Sequence, residues 1–140
     1  MTEPSEVAAR VQNLATRLLR QARLMDDGST LTSAQYSVLS TLNLHPDISL
    51  TELARLEFVS HPTMSRIVGD LIRRKLVERR AAVRDRRSAL LSLTSLGQEA
   101  YLAVYSRRLA LIQAMLARLK PETIADLIQA AESLPQLRGT

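Results

Sequence analysis

The side chains best equipped for chemistry in this chain are arginines, and they are clustered. Between Arg73 and Arg87 stand eight basic residues (Arg73, Arg74, Lys75, Arg79, Arg80, Arg84, Arg86, Arg87) against two acidic ones, Glu78 and Asp85. That run carries +6 where the whole chain carries +5, so everything outside it sums to −1. Just upstream lies SHPTMSR at 60–66, where small hydroxyl side chains precede an arginine. Ser and Thr bond base edges or phosphate oxygens, and an Arg fork fits O6 and N7 of guanine. A basic footprint beside such a stretch is what a nucleic-acid backbone selects for. Other chemistries find little here. There is no cysteine, which excludes disulfides and thiol redox sensing. The two histidines, His45 and His61, are sixteen positions apart and both adjoin proline, a poor start for a metal site. No Ser-His-Asp set or glycine-rich phosphate loop is present, so the chain reads as a binding protein, not an enzyme, with no cofactor.

The elements that must position these residues announce themselves by their caps. Thr32 with Gln35 forms a capping box, and Leu31 with Tyr36 the hydrophobic staple around it. Ser49 with Glu52, and Ile48 with Leu53, repeat the pattern. Ser60 caps a third helix, with Val59 and Met64 as staple and Pro62 tolerated in the first turn. These signals predict helices over 33–44, 50–57 and 61–74, the first stopped by His45-Pro46. On the third helix Met64, Ile67, Val68, Leu71 and Ile72 make the buried side, while His61, Thr63, Ser65, Arg66, Gly69 and Arg73 face elsewhere. After Lys75 the period changes to that of strands, beginning at 76–78 and answered by 89–93. Arg84-Asp85-Arg86-Arg87 lies near the tip between them. Three arginines there repel one another unless an anion is expected, and Asp85 can hold one guanidinium while another reaches outward. The order helix, turn, helix, strand, wing, strand over 48–97 is that of a winged helix-turn-helix.

Helical patterns flank this unit. Val7, Val11, Leu14, Leu18, Ala22 and Met25 make one apolar stripe over 5–25, with Arg10, Arg17, Arg20 and Arg23 largely off it. Thr94 caps a long helix over about 95–119, and Lys120-Pro121-Glu122 opens a last one that Pro135 ends. These helices are apolar over more surface than the small winged unit can cover, which predicts a helical dimer interface. A two-fold dimer would offer two recognition helices to successive major grooves, about 34 Å apart. The expected fold is mainly α with a small β-hairpin wing. It forms a single domain over 1–140, with a core at 32–97 and dimerisation helices at 5–25 and 98–135. One Phe, three Tyr and no Trp leave an aliphatic core, which suits helix packing. No apolar run nears the roughly 18 residues of a membrane span, and the start lacks a signal-peptide pattern. A cytoplasmic protein without membrane contact is expected.

Five segments carry a family resemblance: LTSAQYSVLSTL at 31–42, LTELARLEFVSHPTMSRIVGDL at 50–71, LVERR at 76–80, DRRS at 85–88 and LTSLG at 93–97. In this order and spacing the chain resembles the multiple-antibiotic-resistance regulator (MarR) family over nearly its whole length. The resemblance implies an intracellular homodimer that binds a roughly palindromic operator on double-stranded DNA, usually as a repressor. It gives the reading of the major groove to Ser60, Pro62, Thr63, Ser65 and Arg66, with His61 beside them. The wing falls to Arg84, Asp85, Arg86 and Arg87, with Arg86 for the minor groove, and phosphate contacts to Ser49, Thr51, Arg73 and Arg74. It also implies a small aromatic or phenolic anion as effector, in the cleft between dimerisation helices and winged unit. Two positions depart from the pattern. Lys75 stands where the family usually has Gly, at roughly 1 kcal/mol if the residue is left-handed, and Ala82-Val83 replaces a frequent Asp-Pro. Tyr101 and Tyr105, one turn apart, are read as interface packing. The competing reading is a winged-helix module that binds proteins instead of DNA, for which three arginines at the wing tip have no use.

Overall fold

The computed structural model describes residues 3–25, 30–81 and 89–135. Among them the order is α1 (Pro4–Met25), α2 (Ser33–Leu44), β1 (Ile48–Ser49), α3 (Leu50–Leu56), α4 (His61–Arg73), β2 (Val77–Ala81), β3 (Ala89–Leu93), α5 (Ser95–Leu116) and α6 (Pro121–Ser133). The expected wing arginines, Arg84, Arg86 and Arg87, and Asp85 lie outside the described residues.

The helix starts follow the expected caps, with one difference. At α2 the box is closed: the Gln35 amide donates to Thr32 Oγ1 at 3.2 Å, and the Thr32 amide donates to Gln35 Oε1 at 3.0 Å. At α3 only one arm forms, from the Glu52 amide to Ser49 Oγ at 3.1 Å. The Glu52 carboxylate goes instead to Arg55, 2.6 Å away. That hydrogen bond holds the carboxyl below its ordinary range, so the one-turn neighbour outcompetes the cap backbone.

The helix ends explain how a helix-turn-helix is built here without glycine. After α3 the Phe58 amide bonds Arg55 O and the Val59 amide bonds Ala54 O. After α4 the Lys75 amide bonds Ile72 O and the Leu76 amide bonds Leu71 O. Both are Schellman turns, which need a left-handed residue after the cap. Phe58 and Lys75 fill that place with φ of 54° and 59°. The turns also claim Glu57 and Arg74 as caps, so each helix ends one residue before its expected limit. Phe58 is 75% exposed and contributes no core packing. Phe58→Gly and Lys75→Gly should therefore each stabilise the fold by roughly 0.5–1 kcal/mol, relieved strain outweighing the extra chain entropy. Denaturant midpoints would register this, and a fall in either midpoint would contradict it.

The wing hairpin belongs to a larger sheet than expected. Its two strands pair antiparallel from Val77↔Leu93 to Ala81↔Ala89, and β1 adds a third strand through Ile48↔Leu91 and Ser49↔Leu90. The sheet order is β1-β3-β2. Ser92 pins this edge. Its hydroxyl donates to Asp47 Oδ1 at 2.6 Å and accepts from the Asp47 amide at 3.2 Å. Asp47 itself sits at φ 60°.

The core gathers around α2. Val38, Leu39 and Leu42 meet Leu53 of α3, Met64, Val68 and Leu71 of α4, and Val77 and Leu91 of the sheet, all buried. Tyr101 of α5 belongs to this core, stacked between Tyr36 and Tyr105 with ring centroids 5.7 Å apart on each side. The expectation that Tyr101 packs in a subunit interface is corrected accordingly, because α5 turns its N-terminal half toward α2. Tyr105 remains exposed, as do Val7, Val11 and Leu14 of α1 and Leu127 and Ile128 of α6.

Candidate nucleic-acid interface

At 100° per residue His61, Pro62, Ser65, Arg66, Gly69 and Arg73 fall on one side of α4, opposite the buried Met64 and Leu71 and the half-buried Ile67. The face begins at the cap. Ser60 Oγ accepts from the Thr63 amide at 3.4 Å and donates to Thr63 Oγ1 at 2.9 Å. The Ser60 hydroxyl is thus occupied within the first turn. Half-buried Thr63, accepting from it, keeps its own proton to donate. His61 and Pro62 are exposed in that turn, and Ser65 and Arg66 one turn further on. Arg66 has no carboxylate partner among the described residues.

Gly69 lies at the centre of the face, a position absent from the sequence-derived site. A Cβ added there would meet only the end of the Arg73 side chain, at 3.8 Å. The protein interior does not require glycine at this point, although glycine inside a helix costs about 1 kcal/mol relative to alanine. What it provides is bare backbone on the outward side, where another surface can approach closely.

The flanking cations are unequal. Arg73 is exposed and paired with Asp70 at 3.1 Å. Arg74 is half-buried and donates from Nη1 to Gln35 Oε1 at 3.2 Å, toward α2 rather than outward. Arg80 pairs along its own strand with Glu78 at 2.6 Å, while Arg79 is exposed. Ser49 is half-buried with its hydroxyl in the α3 cap, and Thr51 is exposed beside it. An open groove of about 560 Å³ runs along α4 between Thr32, Ala34 and Gln35 on one wall and Thr63, Arg66 and Asp70 on the other.

A second concavity, of about 230 Å³, lies where α1, α2 and α5 meet. Leu19, Arg23, Ser33, Tyr36, Ser40 and Arg108 line it, and the Arg108 guanidinium stands 3.9 Å from the centre of the Tyr36 ring. Two guanidinium groups beside an aromatic face suit a flat anion better than a cation or a neutral chain. Among the described residues no group of three His, Asp or Glu side chains could hold a metal. No described helix is long and apolar enough to cross a membrane.

No curated protein matches the chain by sequence. The MarR family model matches residues 29–88, a span that includes α2, α3, α4 and β2. Solved structures extend the likeness in fold across the chain. A MarR family protein from Bacillus stearothermophilus superposes with a TM-score of 0.83 at 21% identity, covering 91% of this chain and 89% of its own. Wild-type MarR from E. coli in its apo form gives 0.74 at 23%, covering 96% and 99%. A mutant of S. aureus MepR bound to an oligodeoxyribonucleotide gives 0.68 at 21%, covering 92% and 98%. Similar to the MarR family over residues 29–88, the chain shares the winged-helix fold of these solved regulators from α1 to α6.

Proposed function

We propose that this protein is a sequence-specific DNA-binding transcriptional regulator that works as a homodimer on a pseudo-palindromic operator, as a repressor in the cytoplasm. The outward face of α4 carries the reading: a hydroxyl-rich first turn, then Arg66, around the bare backbone of Gly69. A helix of this character fits the major groove and reads bases with its N-terminal half. Support also comes from MepR, a structural neighbour solved with an oligodeoxyribonucleotide. Ser60, Pro62, Thr63, Ser65 and Arg66 are assigned to the bases, and His61, exposed in the same first turn, to the adjoining backbone. Ser49, Thr51, Arg73 and Arg74 are assigned to phosphates, and Arg84, Asp85, Arg86 and Arg87 to the wing contact. Arg74, already engaged by Gln35, reaches phosphate only with its remaining donors. The concavity at Arg23, Tyr36 and Arg108 is the place for an aromatic anionic effector that releases DNA.

Selection of binding duplexes from a randomised pool, followed by fluorescence anisotropy across a salt series, tests the reading. Arg66→Ala should relax the preference at one base position, by about 1–3 kcal/mol against the wrong bases, and leave the others intact. Arg86→Ala should weaken binding severely with an almost unchanged melting temperature. A wild-type protein that binds all duplexes equally and loses them with salt would reject sequence reading. It would favour the protein-binding alternative for this surface.

A further inference from the structure

Of the buried side chains among the described residues only Gln35 and Ser92 are polar, and Gln35 joins two helices. The residue is 9% exposed, and both ends of its carboxamide are engaged. Oε1 accepts from the Thr32 amide at 3.0 Å and from Arg74 Nη1 at 3.2 Å. Nε2 donates to Asp70 Oδ2 at 2.7 Å. The second Asp70 oxygen, Oδ1, accepts from Arg73 at 3.1 Å. The orientation of the amide is dictated by its partners, since the Thr32 N–H and the guanidinium only donate and the carboxylate only accepts.

One side chain thus links the start of α2 to the last turn of α4. The two ends of this link differ in what holds them. α2 is fixed by Val38, Leu39 and Leu42 in the centre of the core and has no charged residue. α4 buries one stripe, Met64, Val68 and Leu71, and its rotation about its own axis decides which of its remaining side chains face outward. With side chains a helix has a radius of about 5–6 Å, so a 20° turn moves a side-chain end by about 2 Å. That displacement exceeds the tolerance of a hydrogen bond.

We propose that Gln35 is a positioning residue for DNA reading: its carboxamide, held between Thr32, Asp70 and Arg74, sets the rotation of α4 and so aims Thr63, Ser65 and Arg66. The inference rests on the reading role proposed for α4. Gln35 touches no base in this scheme and acts through Asp70.

The charges around Asp70 make a swap experiment possible. Asp70 bonds Gln35 of α2 and Arg73 of α4, Arg66 lines the same groove, and Arg74 bonds the Gln35 oxygen. Gln35→Glu keeps acceptors for Thr32 and Arg74 but sets two carboxylates against each other where a 2.7 Å hydrogen bond stood. Adding Asp70→Asn restores a donor opposite an acceptor and leaves the Arg73 and Arg74 partners in place, with the net charge of the wild type.

Anisotropy would be measured for the wild type, Gln35→Glu and Gln35→Glu/Asp70→Asn, on a duplex selected by the wild type and on a scrambled one. Gln35→Glu should lose about tenfold or more on the selected duplex while binding the scrambled duplex almost as before, because phosphate contacts tolerate a rotated helix. The double variant should return close to wild type on both. Equal loss on both duplexes, or no rescue by Asp70→Asn, would overturn the proposal. Should the wild type itself fail to discriminate, the DNA reading falls and amide hydrogen exchange decides on Gln35. Gln35→Glu should then speed exchange along residues 64–73 but not 38–42, with rescue in the double variant. Unchanged exchange along α4 would remove the positioning role.

Discussion

Gly97→Ala should lower the melting midpoint by about 10 °C, the largest loss expected from a single methyl group in this protein. Gly97 sits in the first turn of α5, where a Cβ would stand 1.9 Å from the Leu76 carbonyl oxygen and 2.9 Å from its carbon. The obstacle is backbone, so no rotamer change relieves it. That carbonyl also receives the Thr94 amide at 3.1 Å, and Thr94 Oγ1 donates to Lys75 O at 2.6 Å while accepting from the Gly97 amide at 3.0 Å. The Thr94–Gly97 cap is therefore the weld between the end of α4 and the start of α5. Forcing the strands of backbone apart belongs at the upper end of overpacking costs, about 3 kcal/mol. With an unfolding entropy of roughly 2 cal/mol/K per residue, that corresponds to about 10 °C in a domain of this size. Gln98→Ala, exposed next door, serves as control and should stay within about 0.5 kcal/mol of wild type. An unchanged midpoint for Gly97→Ala would mean that α5 can slide away from Leu76 freely.

The same weld shows why some of this fold is legible in the sequence and some is not. Caps are local. Thr32, Ser49, Ser60 and Thr94 each sit three residues before the amide they satisfy, so their residue types and spacing suffice. The apolar stripe of α4 is equally local, and it places the outward face correctly around Arg66. Positive φ is a different matter. Lys75 is suspected only because the family resemblance puts glycine there, and Phe58 carries no signal at all, although both close the same kind of turn. β1 is two residues long and has no period to read. It exists because β3 offers an edge, a fact held some forty positions away in Leu90 and Leu91.

Within the candidate site the divide falls in the same place. Arg73 and Arg74 are neighbours of identical type, and nothing local distinguishes them. The structure turns one outward and the other toward Gln35, 39 positions earlier in the chain. Gln35 reads from the sequence as half of a capping box, which it is. Its second task, across to Asp70, is set by tertiary packing alone.

Charging the face of α6 with Leu127→Glu and Ile128→Glu together should convert the proposed dimer into a monomer of 15.6 kDa. The argument begins with what α6 lacks. It has 13 residues and none of them is buried, with Leu127 42% and Ile128 55% exposed. A helix of that length is marginal in water by itself, and most helical stability in proteins comes from packing an apolar face. Among the described residues α6 buries no side chain fully and only Ile124 halfway, and α1 leaves Val7, Val11 and Leu14 exposed as well. In the proposed homodimer a second copy would supply the missing partner, and two-fold symmetry would bury the same face twice. Two carboxylates per chain on that face would have to be buried unpaired, at several kcal/mol for each copy. Light scattering after size exclusion should then give one chain's mass for the variant and twice that for the wild type. DNA affinity should fall by about a hundredfold or more, because one recognition helix loses the effective concentration supplied by its twin. A variant that remains dimeric would place the interface elsewhere on α1 and α5. A monomeric wild type bound tightly to its selected duplex would detach DNA reading from dimerisation altogether.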